Sequence, residues 1–295
     1  MKQFSMKPTG PFDLVYASTF FGGWLTLDEG KRVVISMPVE GWRGSATVVL
    51  SQDEDGTVHG TVYGDDALAE TAWRQALGAF SLDADGSGWA AVGQRDPFIG
   101  KLQEEYKFLR PVLFHSPYEA AASLLIGHRI SIVQRRAIMK RMAEAYGEKF
   151  MVEGKPYYAF PDPQKLLTIT EFKGLNDVKV TRLHAAAQAT LDGLLDRKYL
   201  RSLPIDDALT KLKALPGVGD FFAQGILYRG AGIVNDMTKD INTRQAVQAA
   251  YNLPELPDAA SLATRATIWH PYEMWATVLL HVWMRREKGG FRMKR

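Results

Sequence analysis

Not one cysteine occurs in the 295 residues. That absence excludes a disulfide framework, a thiolate zinc site, an iron–sulfur cluster and a cysteine nucleophile. Histidine is scarce too: the six, at 59, 115, 128, 184, 270 and 281, never fall at the i, i+4 spacing of a helical metal pair. No apolar run approaches the length of a membrane span, and Met1 to Lys7 lacks the apolar stretch of a secretory signal. The expectation is a monomer that makes no use of a membrane. It would work in the cytoplasm, at the nucleoid in a bacterium or in the nucleus where there is one. Neither sign of charge prevails strongly: 36 Lys and Arg face 33 Asp and Glu, a net +3 that suits a polyanion partner and many ordinary enzymes alike. The stretch from Arg285 to Arg295 concentrates six basic residues and one acid. It reads either as a solvated, frayed end or as a phosphate contact.

A hydrophobic share of 46% and a charged share of 23% describe an ordinary globular chain, long enough for two domains. Residues 31–63 read as strands: Val33-Val34-Ile35 and Thr47-Val48-Val49-Leu50 are β-branched runs. Gln52 to Gly56 makes a hairpin turn, and Thr57 to Tyr63 alternates back. An amphipathic helix should follow from Asp66 to Phe80. The periodicity then turns helical. Ser116-Pro117-Tyr118-Glu119 offers an N-cap, a proline at N1 and a capping box, opening a stretch broken near Gly127 that runs to Tyr146. Phe160-Pro161-Asp162-Pro163 starts another helix, with more at 178–195, 205–214, 221–229 and 271–286. The fold class is therefore α+β: an N-terminal domain, 1–95, with an antiparallel β-sheet and a helix, then an all-α domain, 96–295.

The most informative segment is 214–244. A helix with Leu209, Leu212 and Leu215 at i, i+3, i+6 runs into Leu215-Pro216-Gly217-Val218-Gly219, and a second helix starts at once and stops at Arg229-Gly230. Gly217 and Gly219 permit a tight turn that presents backbone N–H groups at a helix N-terminus, where a phosphate is favoured. An ordinary αα-turn uses the same residues. Ten positions past Gly230, Thr238-Lys239-Asp240-Ile241-Asn242 sets a carboxylate just before another helical segment. A carboxylate held at fixed distance from a phosphate anchor suits cleavage of a glycosidic bond; the competing reading is an N-cap or surface aspartate.

These motifs resemble the helix–hairpin–helix DNA glycosylase superfamily, and within it the bacterial DNA-3-methyladenine glycosylase II group. The resemblance rests on Leu215 to Gly219 for the hairpin, Lys239-Asp240-Ile241 for the catalytic loop, Leu125 to Ser131 for a wedge loop, and Pro271-Tyr272 with Trp275 to Trp283 for the last core helix. It implies a helix–hairpin–helix glycosylase core, double-stranded DNA with damaged bases as partner, and Asp240 as the catalytic carboxylate. Asp236 is the rival. The resemblance implies DNA contact by Leu215, Pro216, Gly217, Val218 and Gly219, and by His128 and Arg129 of the wedge loop. Arg129, filling the space of an extruded base, stands where leucine or glutamine is more usual; its plain alternative is a surface salt bridge.

The same resemblance places Phe221, Tyr272, Phe20 and Trp275 around the base, whose cationic alkylated ring would gain from electron-rich faces. Such aromatics are equally ordinary core residues. Gly225, where relatives carry a bulky aromatic, would widen or reshape the pocket. Asp220 is expected to cap its own helix. No lysine occupies Asp220-Phe221-Phe222, so a Schiff base with strand nicking is not expected. No cofactor or catalytic metal is implied, apart from room for a monovalent cation at hairpin carbonyls. Asp83 to Gly88 matches the first half of a calcium loop, but its twelfth position is Gln94, and an acidic turn is the better reading. The leading function is a monofunctional glycosylase for alkylated purines of the 3-methyladenine type, leaving an abasic site. The alternatives are another lesion class, oxidised or deaminated, and a non-catalytic DNA-binding module.

Overall fold

The structure, a computed structural model, describes residues 1–20, 26–27 and 32–289. Five strands form one antiparallel sheet: β1 (Lys2–Met6), β2 (Thr26–Leu27), β3 (Val33–Pro38), β4 (Ser45–Gln52) and β5 (Val58–Gly64), in the order β1-β5-β4-β3-β2. Helix α1 (Leu14–Phe20) leads into β2, and α2 (Ala69–Ala79) follows β5. The β4–β5 turn closes as expected, Asp53 N–H donating to Thr57 at 2.9 Å, with Gly56 at φ +88°. Gly60 has a packing reason. A Cβ there would come within 2.2 Å of the Trp73 ring of α2, which stacks on Phe4 at 5.6 Å.

The rest is mainly helical: α3 (Trp89–Arg95), α4 (Pro97–Glu105), α5 (Pro117–Gly127), α6 (Ile132–Tyr146), α7 (Pro163–Leu167), α8 (Asp177–Leu191), α9 (Arg197–Ser202), α10 (Ile205–Lys213), α11 (Asp220–Gln224), α12 (Ile241–Ala250), α13 (Ala259–Ala266) and α14 (Glu273–Glu287). It is not all-α. Strands β6 (Lys149–Val152) and β7 (Lys155–Tyr158) make an antiparallel hairpin inside it. That hairpin covers the second face of the large sheet, where Val152 and Tyr157 pack on Val34, Val49 and Tyr63. Arg32 clamps Glu153 with two hydrogen bonds, 2.8 and 2.6 Å.

Local chemistry explains the starts of the helices. Asp96, Ser116, Ser131, Asp162 and Asn176 each cap the helix that follows. The capping box is complete at Ser131/Gln134, not at Ser116. Glu119 takes Ser116 Oγ through its own N–H, but its carboxylate reaches past Ser116 to the His115 N–H. The predicted break near Gly127 falls between α5 and α6. One hydrophobic core, from Leu14 through Trp89 and Trp275 to Met284, runs through both halves. Each fully buried large aliphatic side chain in it contributes about 1.5–3 kcal/mol.

Candidate functional site

The glycine turn forms between α10 and α11. Val218 N–H donates to Leu215 at 3.0 Å, and Gly217 takes φ +82°. Only glycine fits there: a Cβ on Gly217 would lie 2.5 Å from Arg182 Cδ and Nε, which pack over the turn from α8. Gly219, not Asp220, is the N-cap, and among the described residues no side chain caps α11. Asp220 turns back to Lys213 at 3.1 Å, an exposed pair. The cause is register: Asp220 already occupies the first helical position, one residue too late for its carboxylate to reach the second- or third-position N–H groups. The start of α11 therefore keeps its amides for an external acceptor, beneath a guanidinium. The turn carbonyls of Leu215 and Gly219 accept from Val218 and Ala223. A monovalent cation here would share oxygens already engaged.

Helix α11 passes into a π-helical segment, Gly225–Ala231, ended by Gly232 at φ +78°. The left-handed stop is therefore Gly232 rather than Gly230. Gly230 is needed for close approach instead, since a Cβ there would meet Ala120 and Pro117 of α5 at 2.9 Å. Gly225 does not open a pocket. The place of its missing side chain is filled by Leu124, whose Cδ1 would be 2.8 Å from a Cβ.

Beside the turn lies the predicted wedge loop. Arg129 is exposed, with φ +57°, and the His128 ring meets Phe222 of α11 edge-on at 5.8 Å. That contact joins loop to hairpin. Lys179 is buried and its Nζ donates to Ile126 O at 2.7 Å, at the end of α5. A groove of about 620 Å³ runs from His128 and Arg129 to Lys179 and Arg182, and no acidic residue lines it among the described residues. Desolvation, then the cations Arg129, Arg182 and Lys179, hold the His128 imidazole below its ordinary pKa. Sequence reasoning missed Lys179 and Arg182. Their i, i+3 spacing on α8 put both on one face, a signal that could have found them.

Asp240 is the N-cap of α12. Its Oδ1 accepts from Asn242 N–H at 2.8 Å and Thr243 N–H at 2.9 Å, while Oδ2 takes no hydrogen bond among the described residues. The carboxylate is half-buried. Below it, Thr243 Oγ1 meets both Thr238 Oγ1 at 2.7 Å and His281 Nε2 at 3.0 Å. Burial, then Arg285 and Arg229, pull the His281 pKa down to about 3, so this ring is neutral. Asp236 is engaged elsewhere: the buried Tyr228 donates to its Oδ2 at 2.6 Å, and Lys239 approaches Oδ1 at 3.7 Å. Burial and the neighbouring Asp236 raise the Tyr228 pKa, keeping that phenol protonated.

The predicted aromatic pocket is only partly assembled. Trp275 is fully buried: its ring meets the Trp89 edge at 5.5 Å, Tyr272 at 4.9 Å and the Arg110 guanidinium at 4.9 Å. No face is left for a base. Tyr272 is 5% exposed, its hydroxyl donating to Asp85 O at 2.9 Å and accepting from Gly88 N–H at 3.1 Å. Both rings are core residues, packed against Trp89 at the start of α3. Phe221, by contrast, is 59% exposed on the first turn of α11. The side chain of Phe20, and Phe21 and Gly22 beside it, lie outside the described residues, as do 290–295 of the basic terminus. The acidic turn holds no metal cluster among the described residues. Asp83 pairs with Arg201 at 2.8 Å, and Asp85 closes on Ser87 N–H at 2.9 Å.

No family model matches the chain. A DNA-3-methyladenine glycosylase of Bacillus subtilis (strain 168) is 22% identical over 207 residues, 68% of each chain. The 3-methyladenine DNA-glycosylase of Archaeoglobus fulgidus superposes with a TM-score of 0.77, covering 97% of this chain and 99% of its own, at 18% identity. A Clostridium acetobutylicum 8-oxoguanine glycosylase/lyase, solved with double-stranded DNA containing cytosine opposite 8-oxoG, superposes with a TM-score of 0.69 at 18% identity, covering 98% and 99%.

Proposed function

We propose that this chain, whose fold is that of the helix–hairpin–helix DNA glycosylases, is a monofunctional DNA N-glycosylase of base excision repair. The observation that carries this reading is one succession along the chain. An uncapped, arginine-roofed glycine turn precedes a helix-capping aspartate that keeps one oxygen free. The turn and the acid-free groove bind sugar–phosphate of duplex DNA, with Arg129 entering the space of the extruded nucleotide.

Cleavage of the N-glycosidic bond builds positive charge at the anomeric carbon. The Asp240 carboxylate, oriented by the two α12 amides on Oδ1, offers Oδ2 to stabilise that charge and to orient the attacking water. The base departs with the bonding electron pair, water adds to the anomeric carbon and gives up a proton to Asp240, and an abasic site is left. No cofactor enters this chemistry. The preferred substrates are alkylated purines of the 3-methyladenine type, because a cationic base is already a good leaving group and needs little help beyond charge stabilisation.

Another lesion class has one observation in its favour: the likeness extends over nearly the whole chain to an 8-oxoguanine glycosylase/lyase. Incubation with duplexes carrying single alkylated, oxidised or deaminated bases, with mass spectrometry of released bases, separates the readings. Release of 3-methyladenine without 8-oxoguanine is expected; the reverse pattern overturns the alkylation reading. Borohydride during turnover should trap no protein–DNA adduct, since Asp220-Phe221-Phe222 supply no amine.

A further inference from the structure

A cavity of about 580 Å³ opens between β3, the residues that begin α5, α6 and β7. None of its lining residues belongs to the glycine turn, the basic groove or the Asp240 loop. Its size is that of an ordinary small-molecule site. The walls are apolar and aromatic, formed by Val34, Met139, Ala143, Tyr157, Tyr158 and Phe160.

Two polar residues in the lining are unexpected. His115 and Glu119 are 3% and 5% exposed, with Nδ1 and Oε2 2.7 Å apart. The approach is close, but its angle does not make an aligned hydrogen bond, and Nε2 also lacks a partner among the described residues. Glu119 Oε2 is meanwhile occupied by the His115 N–H at 3.1 Å. An imidazole buried with unsatisfied nitrogens is costly unless an occupant of the cavity completes its hydrogen bonding.

Charge at the same cavity is positive on balance. Arg135, Arg136 and Lys140 line it against Glu119 and Glu144; the His115 backbone N–H donates to Glu119, and Lys140 pairs with Glu144. Arg135 is held below its ordinary pKa first by desolvation and then by Arg136 beside it. Arg135 is half-buried and Arg136 exposed, and two guanidinium groups at one cavity favour an anionic ligand over a cationic one.

The geometry points to a second ligand site, for a planar aromatic molecule bearing an anionic group. Its ring lies among Tyr157, Tyr158, Phe160 and Met139, a polar edge meets His115, and its acid faces Arg135 and Arg136. The site does not depend on the chemistry at Asp240 and stands or falls without it.

Isothermal titration of the full chain with 2-naphthoate and with 2-naphthylmethylammonium tests the site. Naphthoate should bind one to one, at least tenfold tighter than the ammonium. Ala143→Trp, which fills the cavity from α6, should abolish that binding. Lys140→Glu, at a position 73% exposed, should weaken it severalfold and carries the test if Ala143→Trp does not fold. No saturable binding, equal affinity for the two probes, or binding indifferent to Lys140→Glu would each overturn the site.

Discussion

His281 shows how a single residue can hold the candidate catalytic loop in place. Its ring, half-buried and neutral, meets Thr243 directly beneath the Asp240 cap. The native pKa of about 3 lies below the ordinary 6.5. Between those values the unfolded chain binds a proton that the native chain refuses. This contribution is therefore complete above about pH 6.5 and lost as pH falls, by about 1.4 kcal/mol per pH unit. Urea unfolding at pH 7, 6 and 5 should show that slope in wild type and its loss in His281→Gln; equal slopes would contradict it. The capping position of Asp240 was legible because an acid directly before a helical run has few places to be. Gly225 was not: sequence shows a missing side chain, whereas Leu124, about a hundred positions away, decides whether its space is empty.

Among elements, the pairing of α5 with the π-helical segment aligns the wedge loop and the hairpin, because each adjoins one of them in the chain. Gly230 permits that approach. In Gly230→Val the new side chain meets Pro117 and Ala120 of α5, and overpacking of this kind costs roughly 1–3 kcal/mol. Thermal unfolding should drop accordingly, and an unchanged melting temperature would show that the helices can separate freely. The glycine turn could be read in advance since its φ requirement is local. The β6–β7 hairpin could not be read so easily. Four residues a side leave too short an alternation beside a strong helix signal, and the faces it covers, Val34 and Val49, belong to a distant segment. Helix α3 escaped for a similar reason: Trp89 at its start is fixed by Tyr272 and Trp275, not by local periodicity.

At the scale of the molecule, sheet and helices share one core, and the basic groove, the turn and Asp240 come from α8, α10–α11 and the start of α12. The division into a strand-rich first part and a helical remainder was legible because periodicities of two and 3.6 differ over short windows. The base pocket was not, since its walls depend on which aromatics the core consumes, and Tyr272 and Trp275 are consumed. The central claim is that the half-buried Asp240 performs the bond cleavage. Single-turnover measurement of abasic-site formation on methylated duplex DNA, wild type against Asp240→Asn, tests it most directly. Asparagine keeps an oxygen for the α12 amides, so folding and DNA affinity should persist while the rate falls by about 10²–10³. Release by Asp240→Asn at the wild-type rate would contradict the account, as would no release by either protein.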